Sequence, residues 1–151
     1  MAFDGEPPLP EKYTMTHVLN WFEIPSTDFD RAVDFYSVVL ERDIDVHSPG
    51  EDDAVGERAG MFHVEDGEVG GMIVESDEYT AESGAKISYE PTDSGLVIYL
   101  SVDGDLDDVL ARVDSNGGET VIPKESIPEM ESHFAVITDS EGNRVGLVSN
   151  E

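Results

Sequence analysis

Hydrophobic and polar positions alternate clearly from His17 onward. Residues 17–24 are rich in aromatic and β-branched side chains and stop at Pro25, which predicts a strand. Val18, Phe22 and Ile24 form its more apolar set and should pack on a helix, leaving Leu19, Trp21 and Glu23 on the other face. Ser26, Thr27 and Asp28 then offer N-caps for a helix of about twelve residues carrying Phe29, Ala32, Val33, Tyr36, Val39 and Leu40 on one side. Short strands follow over 42–46, 60–64 and 70–74, with an acidic loop over 48–57 and a turn at Asp66-Gly67. Residues 96–102 alternate again, with Leu96, Ile98, Leu100 and Val102 on one face and Val97, Tyr99 and Ser101 on the other. Leu106, Val109, Leu110 and Val113 mark a second helix that ends at Asn116-Gly117-Gly118. Strands over 120–122, 133–138 and 144–148 complete the pattern, the last two joined by a turn over 139–143.

Strand, helix and three strands therefore occur twice, about 76 residues apart. The reading is an extended, proline-containing arm over 1–14 and one domain over 15–151. Within that domain, module one covers about 17–78, a polar linker about 79–93, and module two about 94–149.

Charge removes several function classes. Thirty-five acidic residues face eight basic ones, a formal net charge of -27, and the acids recur along the whole chain. Nucleic acid and anionic membranes would be repelled, so neither is expected as a partner. No run of about 18 apolar residues is present to span a bilayer. The first residues lack the basic start and apolar core of a secretion signal, so a cytoplasmic protein is expected. With no cysteine, thiol chemistry and thiolate metal sites are excluded.

The stretch from Asn20 to Pro25, followed by Asp28-Phe29-Asp30-Arg31-Ala32-Val33-Asp34-Phe35-Tyr36, resembles the opening of a vicinal oxygen chelate protein, the superfamily of glyoxalases, bleomycin-resistance proteins and dioxygenases. The closing run from Asp139 to Leu147, with its D-x-x-G turn, resembles that superfamily's last turn and strand, and Asn116-Gly117-Gly118, Pro123-Lys124 and Ile127-Pro128 agree with it. The resemblance implies an α+β fold in which two βαβββ modules form a cupped mixed β-sheet with helices outside. It also implies a homodimer. Metal-dependent members hold a divalent ion with His, Gln or Glu from the first and fourth strands of both modules. Carried over, those positions fall at Leu19 or Asn20, Met72 or Ile73, Val97 and Gly146, none of which is a credible ligand set. No metal cofactor is therefore expected, and no residue is assigned a catalytic role.

The remaining candidates are Trp21, Glu23, Tyr99, His133 and Arg144 as pocket-lining residues, with Phe134 a further aromatic. An acid at Glu23 suggests a neutral or cationic ligand, unless Glu23 pairs with Arg144 on a neighbouring strand. Three functions follow. The first is a small organic molecule held in the cup without the standard metal site. The second is a divalent-metal lyase or isomerase with relocated ligands His17, His63, His133 and Glu23. The third is a non-catalytic structural or partner-binding dimer. Phosphate-binding glycine loops and the G-x-S-x-G elbow are absent.

A dispersed charge of -27 with only three lysines also predicts a halophilic source. Raising potassium chloride from about 0.1 M to about 1 M shortens the screening length from about 10 Å to about 3 Å. The melting temperature is expected to rise steeply across that series; a melting temperature indifferent to salt would contradict this reading.

Overall fold

The computed structural model describes residues 17–48 and 57–151. The arm over 1–14 and most of the acidic loop lie outside the described residues. Module one contains β1 (Trp21–Pro25), α1 (Phe29–Leu40), β2 (Ile44–His47), β3 (Ala59–Phe62) and β4 (Gly70–Val74). A hairpin of β5 (Glu78–Thr80) and β6 (Lys86–Ser88) follows. Module two contains β7 (Tyr99–Ser101), α2 (Leu106–Ser115), β8 (Glu119–Ile127), β9 (Ser132–Thr138) and β10 (Arg144–Ser149).

The two four-stranded sheets have the same wiring. Their strand orders are β1-β4-β3-β2 and β7-β10-β9-β8, so in each module the first and last strands run side by side in parallel. The helix is the crossover that makes a parallel pairing possible. This is the expected α+β architecture of two βαβββ modules. Both helices begin at an aspartate whose side chain accepts a backbone N–H of the first turn: Asp28 from Arg31 and Asp105 from Asp107. Their apolar faces meet one shared core, which includes Phe29, Phe35, Tyr36 and Val39 of α1 and Leu106, Val109 and Val113 of α2. Ile24, Ile73, Ile137, Val145 and Leu147 supply the sheet side of that core. No helix among the described residues is long and apolar enough to cross a membrane.

Several expectations shift, among them the second and third strands, which are Ile44–His47 and Ala59–Phe62, so that His63 lies just past β3. β1 starts at Trp21 rather than His17, and Val18, expected on the helix-packing face, is fully exposed. β7 is only three residues long, Tyr99–Ser101, although the Gly146 N–H of β10 also bonds the Ile98 carbonyl just ahead of it. β8 runs on past Ile122 to Ile127, with two register irregularities against β9. The polar linker is not featureless, since β5 and β6 pair within it.

The turn between β9 and β10 ties the modules together. Asp139 is buried and accepts from the Glu141 and Asn143 N–H groups, the Asn143 amide and, at 2.5 Å, the Tyr36 hydroxyl of α1. Burial, then the charge of Asp139, pushes the Tyr36 phenol well up. Asn143 also donates to the Pro25 carbonyl at the end of β1. Glu141, its side chain wholly buried, accepts from the Thr27 and Asp28 N–H groups ahead of α1, the Thr27 and Ser140 hydroxyls, and the Arg31 guanidinium. The carboxylate thus closes the N-terminus of a helix from the other module, where the helix dipole favours negative charge.

Burial alone pushes the Glu141 pKa up. The Arg31 guanidinium, the Asp28 and Thr27 amides and the Ser140 hydroxyl outweigh it and hold the group at about 2. A carboxylate with a depressed folded pKa stabilises the fold fully above its unfolded pKa of about 4.3, and that stability is lost as pH falls toward 2. Glu141→Gln is expected to cost about 2 to 3 kcal/mol in urea unfolding at neutral pH and molar salt. The gap between wild type and variant should narrow as pH drops through that window; a constant gap would show that the charge of Glu141 is not what stabilises.

Candidate functional site

Side chains on a strand alternate between faces, so the register assigns each residue a side. The faces turned away from the helices carry Trp21 and Glu23 of β1 opposite Gly70 and Met72 of β4, and Tyr99 and Ser101 of β7 opposite Gly146 and Val148 of β10. The two modules share a device here. The Trp21 ring lies over Gly70, where an added Cβ would come within 3.2 Å of the indole. The Tyr99 ring lies over Gly146 more closely still, and packs edge-on against Phe134 at 6.4 Å between ring centres. Glycine at these two positions allows an aromatic to lie flat on the neighbouring strand. Trp21 and Tyr99 nevertheless keep 40% and 51% of their surface exposed, so both rings retain a free face.

Glu23 does not pair with Arg144. One of its carboxylate oxygens accepts the Tyr89 hydroxyl at 2.6 Å, and the other accepts the Trp21 indole N–H at 3.3 Å. The bond to Glu23, followed by burial, raises the Tyr89 pKa to about 12. Arg144 sits at the start of β10. Its Nη2 donates to the Gly95 carbonyl, and its Nε is buried without a partner.

Two cavities line the seam between the first strands of the modules, and both take walls from Leu19, Phe22 and Ile98. One, of about 320 Å³, is lined by Trp21, Glu23, Pro25, Thr92, Leu96, Asn143 and Arg144, among others. The other, of about 370 Å³, is lined by His17, Leu40, Arg42, Phe62, Tyr99 and Ser101, among others. Of the residues anticipated from sequence, Trp21, Glu23 and Arg144 meet in the first cavity, and Tyr99 lines the second. His133 lines neither; alternation along β9 puts it on the same face as Ala135 and Ile137, and its Nδ1 is buried without a partner. Tyr89, Asn143, Leu96 and Ile98 carry roles that sequence reasoning did not assign. Tyr89 and Asn143 act through chain segments brought together across long sequence separations, for which local pattern carries no signal.

The histidines do not gather. His17 contacts the Gly67 carbonyl, while the exposed His63 approaches Glu65 at 3.7 Å. Among the described residues, no group of three or more His, Asp or Glu side chains could hold a metal ion. The resemblance carries the metal-ligand positions of metal-dependent members to Leu19 or Asn20, Met72 or Ile73, Val97 and Gly146. Leu19 and Val97 lie ahead of their strands, and Ile73 is wholly buried in the core. The outward pairs of the first and fourth strands are instead Trp21 with Gly70, Glu23 with Met72, Tyr99 with Gly146 and Ser101 with Val148. Among these Glu23 alone offers the expected kind of donor, and both its oxygens are engaged, so these residues do not fit such a metal.

The family model for the Glyoxalase/Bleomycin resistance protein/Dioxygenase superfamily matches residues 18–147. Several solved structures share the fold. A glyoxylase/bleomycin resistance protein/dioxygenase domain from Frankia sp. EAN1pec superposes with a TM-score of 0.60 at 18% identity, over 91% of this chain and 94% of that one. TioX from Micromonospora sp. ML1 gives 0.54 at 20% identity, over 89% and 100%. Glyoxalase I from Zea mays gives 0.56 at 16% identity, over 86% of this chain and 45% of that one. No curated protein matches the sequence.

A methyl group at position 146 would have to displace the Tyr99 ring. Gly146→Ala is expected to lower stability by about 1 to 3 kcal/mol in chemical unfolding. A loss below about 0.5 kcal/mol would mean that the ring yields freely and does not hold its place on the sheet.

Proposed function

The chain belongs to the Glyoxalase/Bleomycin resistance protein/Dioxygenase superfamily, and from that premise we propose that it binds a small organic molecule at the seam between its modules, without the superfamily's usual metal. The observation that carries this reading is the pair of aromatic-over-glycine contacts, Trp21 on Gly70 and Tyr99 on Gly146, on the strands that supply metal ligands elsewhere in the superfamily. A ring with one face on the sheet and the other exposed suits stacking against a flat or apolar molecule. The cavity beside Trp21 has a wall of mostly apolar residues and a few convergent polar groups, Glu23, Asn143 and Arg144, which is the usual make-up of a small-ligand site. Its volume of about 320 Å³ is at the small end for such sites.

The chemistry open to these residues is recognition: stacking, a hydrogen bond to a carboxylate already held by Tyr89, and a guanidinium contact. Val18 and Leu96, both almost fully exposed beside the seam, favour a second copy of the chain packing there, hence a homodimer. The acid-rich surface suits a cytoplasm of high ionic strength.

Trp21 is the only tryptophan in the chain, so its fluorescence reports on this cavity directly. In a screen of small aromatic molecules at molar salt, saturable changes in that emission are expected, and Trp21→Phe should bind the same molecules several-fold more weakly by calorimetry. The same preparation, incubated with nickel, zinc, manganese and iron and then dialysed, is expected to retain well under one equivalent of metal and to have the mass of a dimer by light scattering. Near-stoichiometric metal would sink the metal-independent reading and favour a lyase or isomerase instead.

A further inference from the structure

The cations of this chain are scarce, and their partners are informative. Seven arginine and lysine side chains fall among the described residues, in a chain with 35 acids. Five of them form salt bridges: Arg31 with Glu141, Arg58 with Asp30 and Glu75, Lys86 with Glu78, Arg112 with Glu41, and Lys124 with Asp105. Arg42 and Arg144 do not; among the described residues each bonds only a backbone carbonyl, His63 and Gly95 respectively. These two line the two seam cavities, one each.

With more than four carboxylates for every cation, a guanidinium left without one stands out. Arg144 is the clearer case. Glu23 lines the same cavity, yet its carboxylate is turned to Tyr89 and Trp21. The other side-chain donors in that wall are committed within the protein. The Trp21 indole N–H goes to Glu23, the Asn143 amide goes to the Pro25 carbonyl and Asp139, and the Thr92 hydroxyl faces Ser94. In Arg144, Nη2 is engaged and Nε is buried without a partner, while Nη1 makes no hydrogen bond among the described residues. A charged donor in a cavity that the protein's own acids do not neutralise is suited to an acceptor brought by a ligand.

We propose that the cavity beside Trp21 recognises a carboxylate-bearing organic molecule, its carboxylate held by Arg144 and its apolar body lying against Trp21, Leu96 and Ile98. This rests on the reading of the seam as a small-molecule site and names the ligand class. From sequence, Glu23 suggests a neutral or cationic ligand; in the structure both its oxygens already accept, from Tyr89 and Trp21, whereas Arg144 has no acid partner among the described residues. The surface charge of -27 opposes the approach of any anion, so such a site works best where salt screens the field.

The test uses the full chain in molar potassium chloride, with Trp21 emission as the readout and three probes sharing one body: 3-phenylpropionate, 3-phenylpropionamide and 3-phenylpropylamine. The carboxylate is expected to bind about tenfold more tightly than the amide, the difference a charge-assisted hydrogen bond supplies. Arg144→Gln should erase that preference and Arg144→Lys should keep part of it. Equal binding of carboxylate and amide, preference for the amine, or a preference that survives Arg144→Gln would each overturn the anion assignment while leaving a small-molecule site standing. Silence from all three probes would remove the binding reading itself, and this inference with it. The wild-type comparison needs no variant, so it decides the matter even if Arg144→Gln fails to fold.

Discussion

Glu141 holds one buried negative charge against six donor atoms drawn from the residues ahead of the α1 helix, Arg31 and its own turn. Next to it, Asp139 gathers the turn around itself and reaches Tyr36, and Asn143 reaches Pro25. The bonds from Glu141 to Thr27, Asp28 and Arg31, from Tyr36 to Asp139 and from Asn143 to Pro25 join module two to module one. A buried carboxylate tolerates little displacement, since loss of one donor leaves charge without compensation. The relative placement of the two first strands follows from this joint, and with it the seam in which both cavities lie. In this chain both cavities lie at an interface between repeats, and the turn that holds it also lends Asn143 to the wall of one of them.

Most cations are engaged in holding the fold, as Arg31 does with Glu141 and Arg58 with Glu75 and Asp30. For Arg58, the hydrogen bonds to these carboxylates raise its pKa well beyond the ordinary range, and Glu75 is correspondingly lowered by the Arg58 guanidinium. The acids are so abundant that an arginine free of them needs local geometry to keep it so. At Arg144 that geometry is the Gly95 carbonyl, and across the cavity it is Tyr89 holding Glu23. The polar linker takes part here: from the segment that joins the modules, Thr92 lines the cavity and donates its N–H to Asn143, while the Tyr89 hydroxyl bonds Glu23.

The superfamily carries many chemistries on one fold, and fold membership alone selects none of them. What distinguishes this chain is the treatment of its first and fourth strands. On the outward faces of these strands, this chain pairs a large ring with a glycine in each module. Each pairing lays a flat aromatic surface on the sheet, with one face of the ring left exposed.

Much of the architecture was legible from residue order alone. Period-two and period-3.6 patterns located α1, α2, β4 and β10 within a residue or so, because burial on one face imposes those periods whatever the partner. The repeat of strand, helix and three strands revealed two modules for the same reason. Trp21, Glu23 and Arg144 were also visible as polar or aromatic residues on the outward faces of strands, and they meet in one cavity. Tertiary structure decided the rest. The start of β1 at Trp21, the register that sets Trp21 on Gly70, the turn of Glu23 toward Tyr89, and the isolation of Arg144 all depend on partners 45 or more residues away. Local sequence constrains which face a side chain takes; which group it meets there is set by the packing of elements that the chain brings together only on folding.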